Sequence, residues 1–393
     1  MMRFLGDDGL SWLPGEPWAA PWNPKELLAG GWGKEPLAEI SWAQRGTLLG
    51  LTSRYLAIGL ARYYMGCGEV PPDGRFRANT HSGGVLPAAV GIARLGRTLD
   101  DAEMLAWASR VHAYVREETP DHGFLRDGLG LEGAFSDTCE TCGVADLIHL
   151  GVVLAEAGAC DGWDDVERLV RNQLAENQYA DAGVIRRLFP GIDDRVFRMP
   201  HGGFECAESP NDLLGYDGAE ACCIGGGIRA VYLSWRASVA ATGNETRVRM
   251  GFTRSTPYVE VVAYEPWEGR LAVRARTDRR VQVRIPGRVA RAQVRTLLDG
   301  QDARLPHSGA YADFGMLRAG QVPSLRYPLD ERRTSFEVGG SHYEADWRGH
   351  TVVEIRPPGV RYPTYRRRAW AEAPIPGELV PAALTGAEAG PLW

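Results

Sequence analysis

The hydrophobic period of this chain changes once along its length, near Asn244. Before that point apolar residues recur every three or four positions, as in Met104, Trp107 and Val111, which is the spacing of one buried helix face. After it, apolar and polar residues alternate in short runs such as 281–285, which stop at proline and glycine. This alternation predicts β-strands joined by turns. We therefore expect an α+β protein of more than one domain, with the helices first and the sheets second.

In the first part of the chain, six segments have this helical period, and each predicts a helix. The segments that show it are 48–58, 85–92, 104–115, 144–152, 162–178 and 228–239. Asp164 and Asp165 stand near the start of the fifth segment, where the positive end of a helix favours carboxylates. Short turns separate the segments, so we expect antiparallel helical hairpins.

The second part of the chain predicts an antiparallel β-sandwich, because several short strands follow one another with turn residues between them. The predicted strands lie at 257–264, 270–276, 281–285, 334–340 and 350–359. The boundaries that we expect are an extended N-terminal arm over 1–44, a helical domain over 45–243, a β-sandwich over 244–371 and a flexible tail over 372–393.

The composition excludes several classes of protein. The 393 residues are 44% hydrophobic and 24% charged, with a net charge of −6, which is typical of a globular protein. The basic cluster Arg366–Arg368 is short, so we interpret it as a solvated edge and expect no nucleic-acid partner. No apolar run is long enough to span a membrane. Asp7 and Asp8 interrupt the place where a secretory signal would be apolar, so we expect a cytoplasmic protein without a membrane partner.

Two cysteine-rich stretches carry the strongest chemical pattern. The first is C-E-T-C at 139–142, and the second is the pair Cys222-Cys223, which precedes the glycines 225–227. We expect those glycines to form a tight turn with a helix just after it, and a helix N-terminus favours thiolates. Three sulfurs and one carboxylate oxygen form a tetrahedral set that zinc prefers. The predicted Zn²⁺ ligands are Glu140, Cys142, Cys222 and Cys223.

Other interpretations of the cysteines are left open by the sequence. A buried cysteine can be no more than a small hydrophobic residue, and this is how we interpret Cys67, Cys160 and Cys206. Cys139 and Cys142 have the C-x-x-C spacing of a redox pair. No thioredoxin-like βαβ pattern surrounds that pair, which favours the metal site over the redox site.

These motifs resemble the glycoside hydrolases of the β-L-arabinofuranosidase type, family 127 and its relatives. The resemblance runs from about 77 to 290 and is carried by CETCGVADLIHLG (139–151), DDVERLVRNQLAENQ (164–178), ACCIGGGIRAVYLSW (221–235) and RRVQVRIPG (279–287). It implies an (α/α)6 barrel followed by β-sandwich domains. It also implies that the Glu-x-Cys motif and the cysteine pair bind zinc.

The resemblance further implies a retaining glycosidase that acts on a β-L-arabinofuranoside or a related sugar. Cys222 matches the nucleophile, and zinc would hold it as a thiolate without a general base. Glu132, a short distance before Glu140, is the candidate general acid/base. Two successive displacements then give net retention at the anomeric carbon. The predicted sugar-binding residues are His81, His201 and Tyr216.

The sequence departs from the family in two respects. The six predicted helices are about half of those in a complete (α/α)6 barrel, and Ile224 and Gly225 follow the cysteine pair where Pro-Asn is usual in the family. An incomplete barrel leaves an apolar helix face bare. We therefore expect either a partner, such as a second copy of the chain, over that face or a chain that is a fragment. A non-catalytic, zinc-stabilised carbohydrate-binding relative and a polysaccharide lyase of the six-hairpin type are the alternative functions.

Overall fold

The computed structural model describes residues 50–66, 70, 73–76, 80–130, 137–188, 191, 201–213 and 219–375. The predicted arm and most of the predicted tail lie outside these residues. The chain divides into two compact units. The first takes the described residues up to Val231 together with Phe336–His342 and Pro358–Thr364. The second takes Tyr232–Ser335, Tyr343–Pro357 and the described residues from Tyr365 onward. Across the described ranges, no helix combines the length and the hydropathy that a membrane crossing needs.

The first unit is helical. Its helices are α1 (Gly50–Gly66), α2 (Ser82–Leu99), α3 (Ala102–Glu117), α4 (Thr141–Glu156), α5 (Trp163–Leu169, continued by a π-helical turn at Val170–Leu174), α6 (Ala182–Leu188) and α7 (Ala221–Ala237), the last of which continues into the second unit. The six helices that the period predicts are therefore confirmed. The short α6 was not predicted, because seven residues hold too few turns to show a period.

α3 shows how the sequence determines one of these helices. Asp101 caps its N-terminus, since the side chain accepts hydrogen bonds from the backbone N–H groups of Glu103 and Met104 at 3.0 and 3.1 Å, as N-cap residues do. The predicted stripe with Met104 and Trp107 is buried. α2 packs against both α3 and α4. α4 is buried at every position from Thr141 to Leu154, so the Glu-x-Cys motif stands at the start of a core helix.

Two short two-stranded sheets also belong to the first unit. The first pairs β1 (Thr80–His81) with β2 (Gly128–Leu129), and the second pairs β3 (Asp212–Leu213) with β18 (Tyr362–Pro363). The pairing of β1 with β2 places the start of α2 beside the chain that leads into the C-E-T-C motif.

The second unit is built from sheets. Its strands are β4 (Val239–Thr242), β5 (Glu245–Val248), β6 (Arg254–Ser255), β7 (Val259–Ala263), β8 (Arg270–Ala275), β9 (Arg279–Arg284), β10 (Arg295–Leu298), β11 (Gln301–Asp302), β12 (His307–Ser308), β13 (Tyr311–Leu317), β14 (Pro323–Arg326), β15 (Glu331–Val338, whose last residues belong to the first unit), β16 (Ser341–Arg348) and β17 (Thr351–Arg356). The short helix α8 (Arg368–Glu372) follows them. All five predicted strands are present.

The strands of the second unit form two larger sheets and a smaller one. The strand orders are β11-β10-β14-β8-β7-β6, β12-β13-β9-β5-β4 and β15-β16-β17. Val273 and Leu325 of the first sheet and Val248 and Val281 of the second are fully buried in one hydrophobic cluster, which is the core of a sandwich. The prediction that all strands are antiparallel is wrong at one pair. β5 and β9 are parallel, and alternation in a sequence carries no information about strand direction.

The glycines 225–227 lie inside a helix and not in a turn. α7 begins at Ala221, ahead of both cysteines, so the predicted tight turn is wrong. A Cβ on Gly227 would stand 2.4 Å from the Phe204 ring, and one on Gly226 would stand 3.3 Å from the Cα of Cys142. Because glycine has no side chain, α7 approaches Phe204 and the start of α4 more closely than any other residue would allow.

We expect Gly227→Ala to destabilise the protein by about 1–3 kcal/mol, because the added methyl group overlaps the buried Phe204 ring. Gly225 is the matched control, since nothing lies within 4 Å of a Cβ at that position. Gly225→Ala should stabilise the helix by about 0.5–1 kcal/mol. Thermal unfolding followed by the helical circular dichroism signal measures both changes. Equal effects of the two substitutions would contradict the close contact with Phe204.

Candidate metal centre

The four predicted ligands lie together where two helices begin. Glu140 is the N-cap residue of α4 and Cys142 lies in its first turn, while Cys222 and Cys223 lie in the first turn of α7. One ligand atom from each residue falls within 4.8 Å of all the others. The Sγ atom of Cys222 is 3.8 Å from Oε1 of Glu140 and 3.8 Å from Sγ of Cys223. Folding thus joins two motifs that are far apart in the sequence.

The donor chemistry of the cluster and the separation of two of its sulfurs fit a zinc ion. Tetrahedral zinc with metal–sulfur bonds of about 2.3 Å separates its sulfurs by about 3.8 Å, and the sulfurs of Cys222 and Cys223 have this separation. Sγ of Cys142 contacts Oε1 of Glu140, and Sγ of Cys223 lies 3.8 Å from the same oxygen. Three sulfurs and one carboxylate oxygen are donors that zinc accepts readily.

The protons of the cluster are shared unequally among its thiols. Hydrogen bonds with Cys222 and then with Cys223, together with burial, raise the pKa of Cys142. The hydrogen bond from Cys142 outweighs burial at Cys222 and lowers the pKa of that thiol to about 6. Glu140, Cys142 and Cys223 are buried, whereas Cys222 is exposed. The exposed sulfur of the cluster, that of Cys222, therefore also has a lowered pKa.

The ring of His81 lies between two carboxylates, those of Glu140 and Asp127. Nε2 of His81 lies 2.7 Å from Oε2 of Glu140 and 2.9 Å from Oδ1 of Asp127, so Oε1 of Glu140 is left facing the sulfurs. Burial lowers the pKa of His81, but its hydrogen bonds with Asp127 and Glu140 outweigh this effect and raise that pKa to about 9. The predicted sugar-binding role of His81 stays a prediction, and the contact that the structure shows is with Glu140, a predicted metal ligand.

Asp127 was not predicted from the sequence. Its backbone carbonyl accepts a hydrogen bond from Ser82 N at 2.6 Å, and its backbone N–H donates one to the carbonyl of Thr138 at 2.8 Å. These two bonds position the Asp127 side chain beside His81. The pairing of β1 with β2 produces this arrangement, and these two-residue strands are too short to leave a pattern in the sequence.

Gly83 allows a third helix start to reach the cluster. It lies in the first turn of α2, and a Cβ at this position would stand 2.7 Å from Cε1 of His81 and 3.3 Å from Sγ of Cys142. The N-termini of α2, α4 and α7 therefore meet around the same group of side chains. Helix N-termini stabilise negative charge, which suits a site made of thiolates and a carboxylate.

Two more ligand-bearing residues lie beside the cluster. The Sγ of Cys206, a carboxylate oxygen of Glu220 and the Sγ of Cys222 fall within 4.8 Å of one another. Oε2 of Glu220 is 3.9 Å from Sγ of Cys222, and burial followed by the nearby Cys223 raises the pKa of the Cys206 thiol. The sequence predicts Cys206 to be no more than a small hydrophobic residue. The structure instead places its sulfur within 4.8 Å of that of Cys222, a predicted metal ligand.

Cys139 does not have the environment of a redox cysteine. It is fully buried, and burial followed by the nearby Glu208 carboxyl raises the pKa of its thiol. Reactive cysteines have a lowered pKa and are accessible. Cys139 and Cys142 are both free thiols, so the C-x-x-C spacing contributes one predicted ligand to the cluster and one core residue.

The structure does not place the remaining predicted site residues in the cluster. Glu132 and Tyr216 lie outside the described residues. His201 lies on an exposed turn and does not belong to any of the ligand groups that the described residues form. Their catalytic and sugar-binding roles stay predictions.

Replacement of His81 tests the support of Glu140. We expect His81→Ala to weaken zinc binding by about 10- to 100-fold, because a metal ligand that loses its hydrogen-bonded partner is poorly oriented. Competition with a chromophoric chelator measures the affinity. His201→Ala is the control, since that histidine is exposed, and it should leave the affinity unchanged. If both variants bind zinc as the wild type does, His81 has no positioning role.

Comparison with known proteins supports the fold. No family model and no curated protein matches the sequence. Solved structures do match, among them the following three. A family 127 β-L-arabinofuranosidase from Geobacillus stearothermophilus T6 is 14% identical with a TM-score of 0.53, over 77% of this chain and 55% of that one. A family 127 β-arabinofuranosidase is 13% identical with a TM-score of 0.56, over 81% and 55%. A protein described as a glycoside hydrolase is 12% identical with a TM-score of 0.59, over 81% and 60%.

These matches define how far the likeness extends. The chain spans little more than half the length of the solved structures that it matches. Over about four fifths of its own length, it has the fold of the family 127 β-L-arabinofuranosidases.

Proposed function

We propose that this chain is a retaining glycoside hydrolase in which Cys222 is the nucleophile, Glu132 is the general acid/base and a zinc ion is held by Glu140, Cys142, Cys222 and Cys223. The observation that carries the proposal is the convergence of these four ligands at one point, in a fold that the chain shares with β-L-arabinofuranosidases. The helical unit then corresponds to part of an (α/α)6 barrel.

The proposal assigns the nucleophile to Cys222 because of its position in the cluster. Zinc bound there would keep the sulfur as a thiolate at neutral pH, so that no general base is needed. Cys222 is the exposed member of the set, while Cys142 and Cys223 are buried. Its sulfur is therefore the one that a sugar can approach. Four protein ligands leave no position for a metal-bound water, which favours attack by sulfur over attack by hydroxide.

The reaction has two displacements at the anomeric carbon. In the first, the Cys222 sulfur forms a bond to that carbon while the glycosidic C–O bond breaks and Glu132 donates a proton to the departing oxygen. In the second, Glu132 accepts a proton from water, and the water oxygen replaces the sulfur. Two inversions give net retention.

The substrate that we propose is a β-L-arabinofuranoside or a closely related glycoside. This choice follows the names of the matched structures. His201 and Tyr216 are proposed to bind sugar hydroxyl groups. Both precede the cysteine pair on the chain segment that leads to α7.

Cys222→Ala tests the nucleophile. We expect the wild type to cleave an aryl β-L-arabinofuranoside and the variant to lose that turnover, because the remaining cluster has no accessible sulfur. Cys222→Ser should also be inactive, since a serine hydroxyl is not held as an anion there. Cys160→Ala, at a half-buried cysteine outside the ligand groups, is the control and should keep full activity. Full activity of Cys222→Ser would refute the assignment.

Metal analysis of the wild type separates the proposed enzyme from the non-catalytic alternative. We expect about one zinc ion per chain together with turnover of an aryl glycoside. A protein that holds zinc but cleaves no aryl furanoside or pyranoside would instead be a zinc-stabilised carbohydrate-binding relative.

A further inference from the structure

The cluster contains more ligands than one tetrahedral ion uses. Besides the four proposed ligands, Cys206 and Glu220 form a second group that shares Cys222 with the first. Cys206 is half-buried and its sulfur lies within 4.8 Å of the Cys222 sulfur, whereas Glu220 is exposed and lies 3.9 Å from the Cys222 sulfur. The proposed function does not use either residue.

Hydrogen bonds on both sides of Cys206 fix its position relative to the Glu-x-Cys motif. Two residues after it, Glu208 exchanges backbone hydrogen bonds of 2.9 and 3.0 Å with Cys139. One residue before it, the carbonyl of Glu205 accepts a 2.6 Å hydrogen bond from the Thr141 hydroxyl. Cys139 and Thr141 are the two neighbours of Glu140 in the chain. The segment that carries Cys206 is therefore fixed to the segment that carries two of the four proposed ligands.

The proposed reaction would remove one strong ligand from the metal site, and Cys206 lies where it could replace that ligand. When the Cys222 sulfur is bonded to the anomeric carbon, it is a thioether, which is neutral and a weak ligand for zinc. The ion would then keep only Glu140, Cys142 and Cys223 as strong ligands. Another thiolate within 4.8 Å of the Cys222 sulfur, as Cys206 could supply, would restore both the charge and the coordination number of the site.

We propose that Cys206 is a reserve metal ligand that replaces Cys222 while the Cys222 sulfur carries the sugar. This inference rests on the proposed function. As the S–C bond forms and the glycosidic C–O bond breaks, the Cys206 thiol would give its proton to the Glu220 carboxylate beside it, and its sulfur would then be available to hold the ion. When water releases the sugar, Cys222 returns as a thiolate, and Cys206 takes the proton back from Glu220. The exchange involves no oxidation or reduction.

The number of thiolates around the metal tests this proposal. Cobalt(II) replaces zinc at such sites, and the intensity of its sulfur-to-metal charge-transfer absorption rises with the number of bound thiolates. We expect Cys222→Ala to keep the wild-type intensity, because Cys206 takes the empty place. The double variant with Cys206→Ala should lose about one third of the intensity, since two thiolates remain in place of three. Cys206→Ala alone and the control Cys160→Ala should match the wild type.

A chemical modification gives a second measurement on the unmutated chain. Iodoacetamide converts the exposed Cys222 into a stable thioether, and peptide mass spectrometry verifies that this residue alone has reacted. The alkylated protein should retain the full charge-transfer intensity, whereas the alkylated Cys206→Ala variant should lose about one third of it.

The possible outcomes distinguish this inference from the proposed function. An intensity that already falls in Cys222→Ala, or on alkylation of the wild type, shows that no ligand replaces Cys222 and overturns the role of Cys206 alone. A wild-type chain that binds neither cobalt nor zinc overturns both proposals.

Discussion

The candidate site depends on the close approach of three helix starts. Glycine stands at each contact, Gly83 in α2 and Gly226 in α7 against Cys142, and Gly227 in α7 against Phe204. Side chains at these positions would separate the helices and move the sulfurs apart. The approach also concentrates unsatisfied backbone N–H groups around one point, which favours anionic ligands. Packing and electrostatics therefore act in the same direction here.

The electrostatics of the cluster explain why a cation belongs in it. Several acidic groups lie within a few ångströms of one another, and burial of the thiolates or of the Glu140 carboxylate without a partner would be costly. Helix N-termini and the His81 ring balance part of this charge. A divalent ion balances more of it and binds the sulfurs directly. Thus His81, Asp127 and the helix ends orient the ligands, and the ion would supply the charge that these groups do not.

The sequence predicted what depends on local pattern. Six helices and five strands follow from hydrophobic period, and the four proposed ligands follow from the donor chemistry of two short motifs. The errors have physical causes. Consecutive glycines favour turns when taken alone, but at 225–227 tertiary packing keeps them in a helix. Asp127 and Cys206 join the site through backbone pairing between distant segments, and a single sequence does not show which distant segments pair.

The division of the ligands between α4 and α7 has a consequence for how the protein assembles. Each helix start supplies two donors, and two donors hold zinc far more weakly than four. Strong coordination therefore requires the docked pair of helices, and a chelator that removes the ion also removes free energy that opposes their separation. A bound cation would therefore stabilise the tertiary structure where α4 and α7 begin, and metal depletion should lower the resistance of the helical unit to proteases.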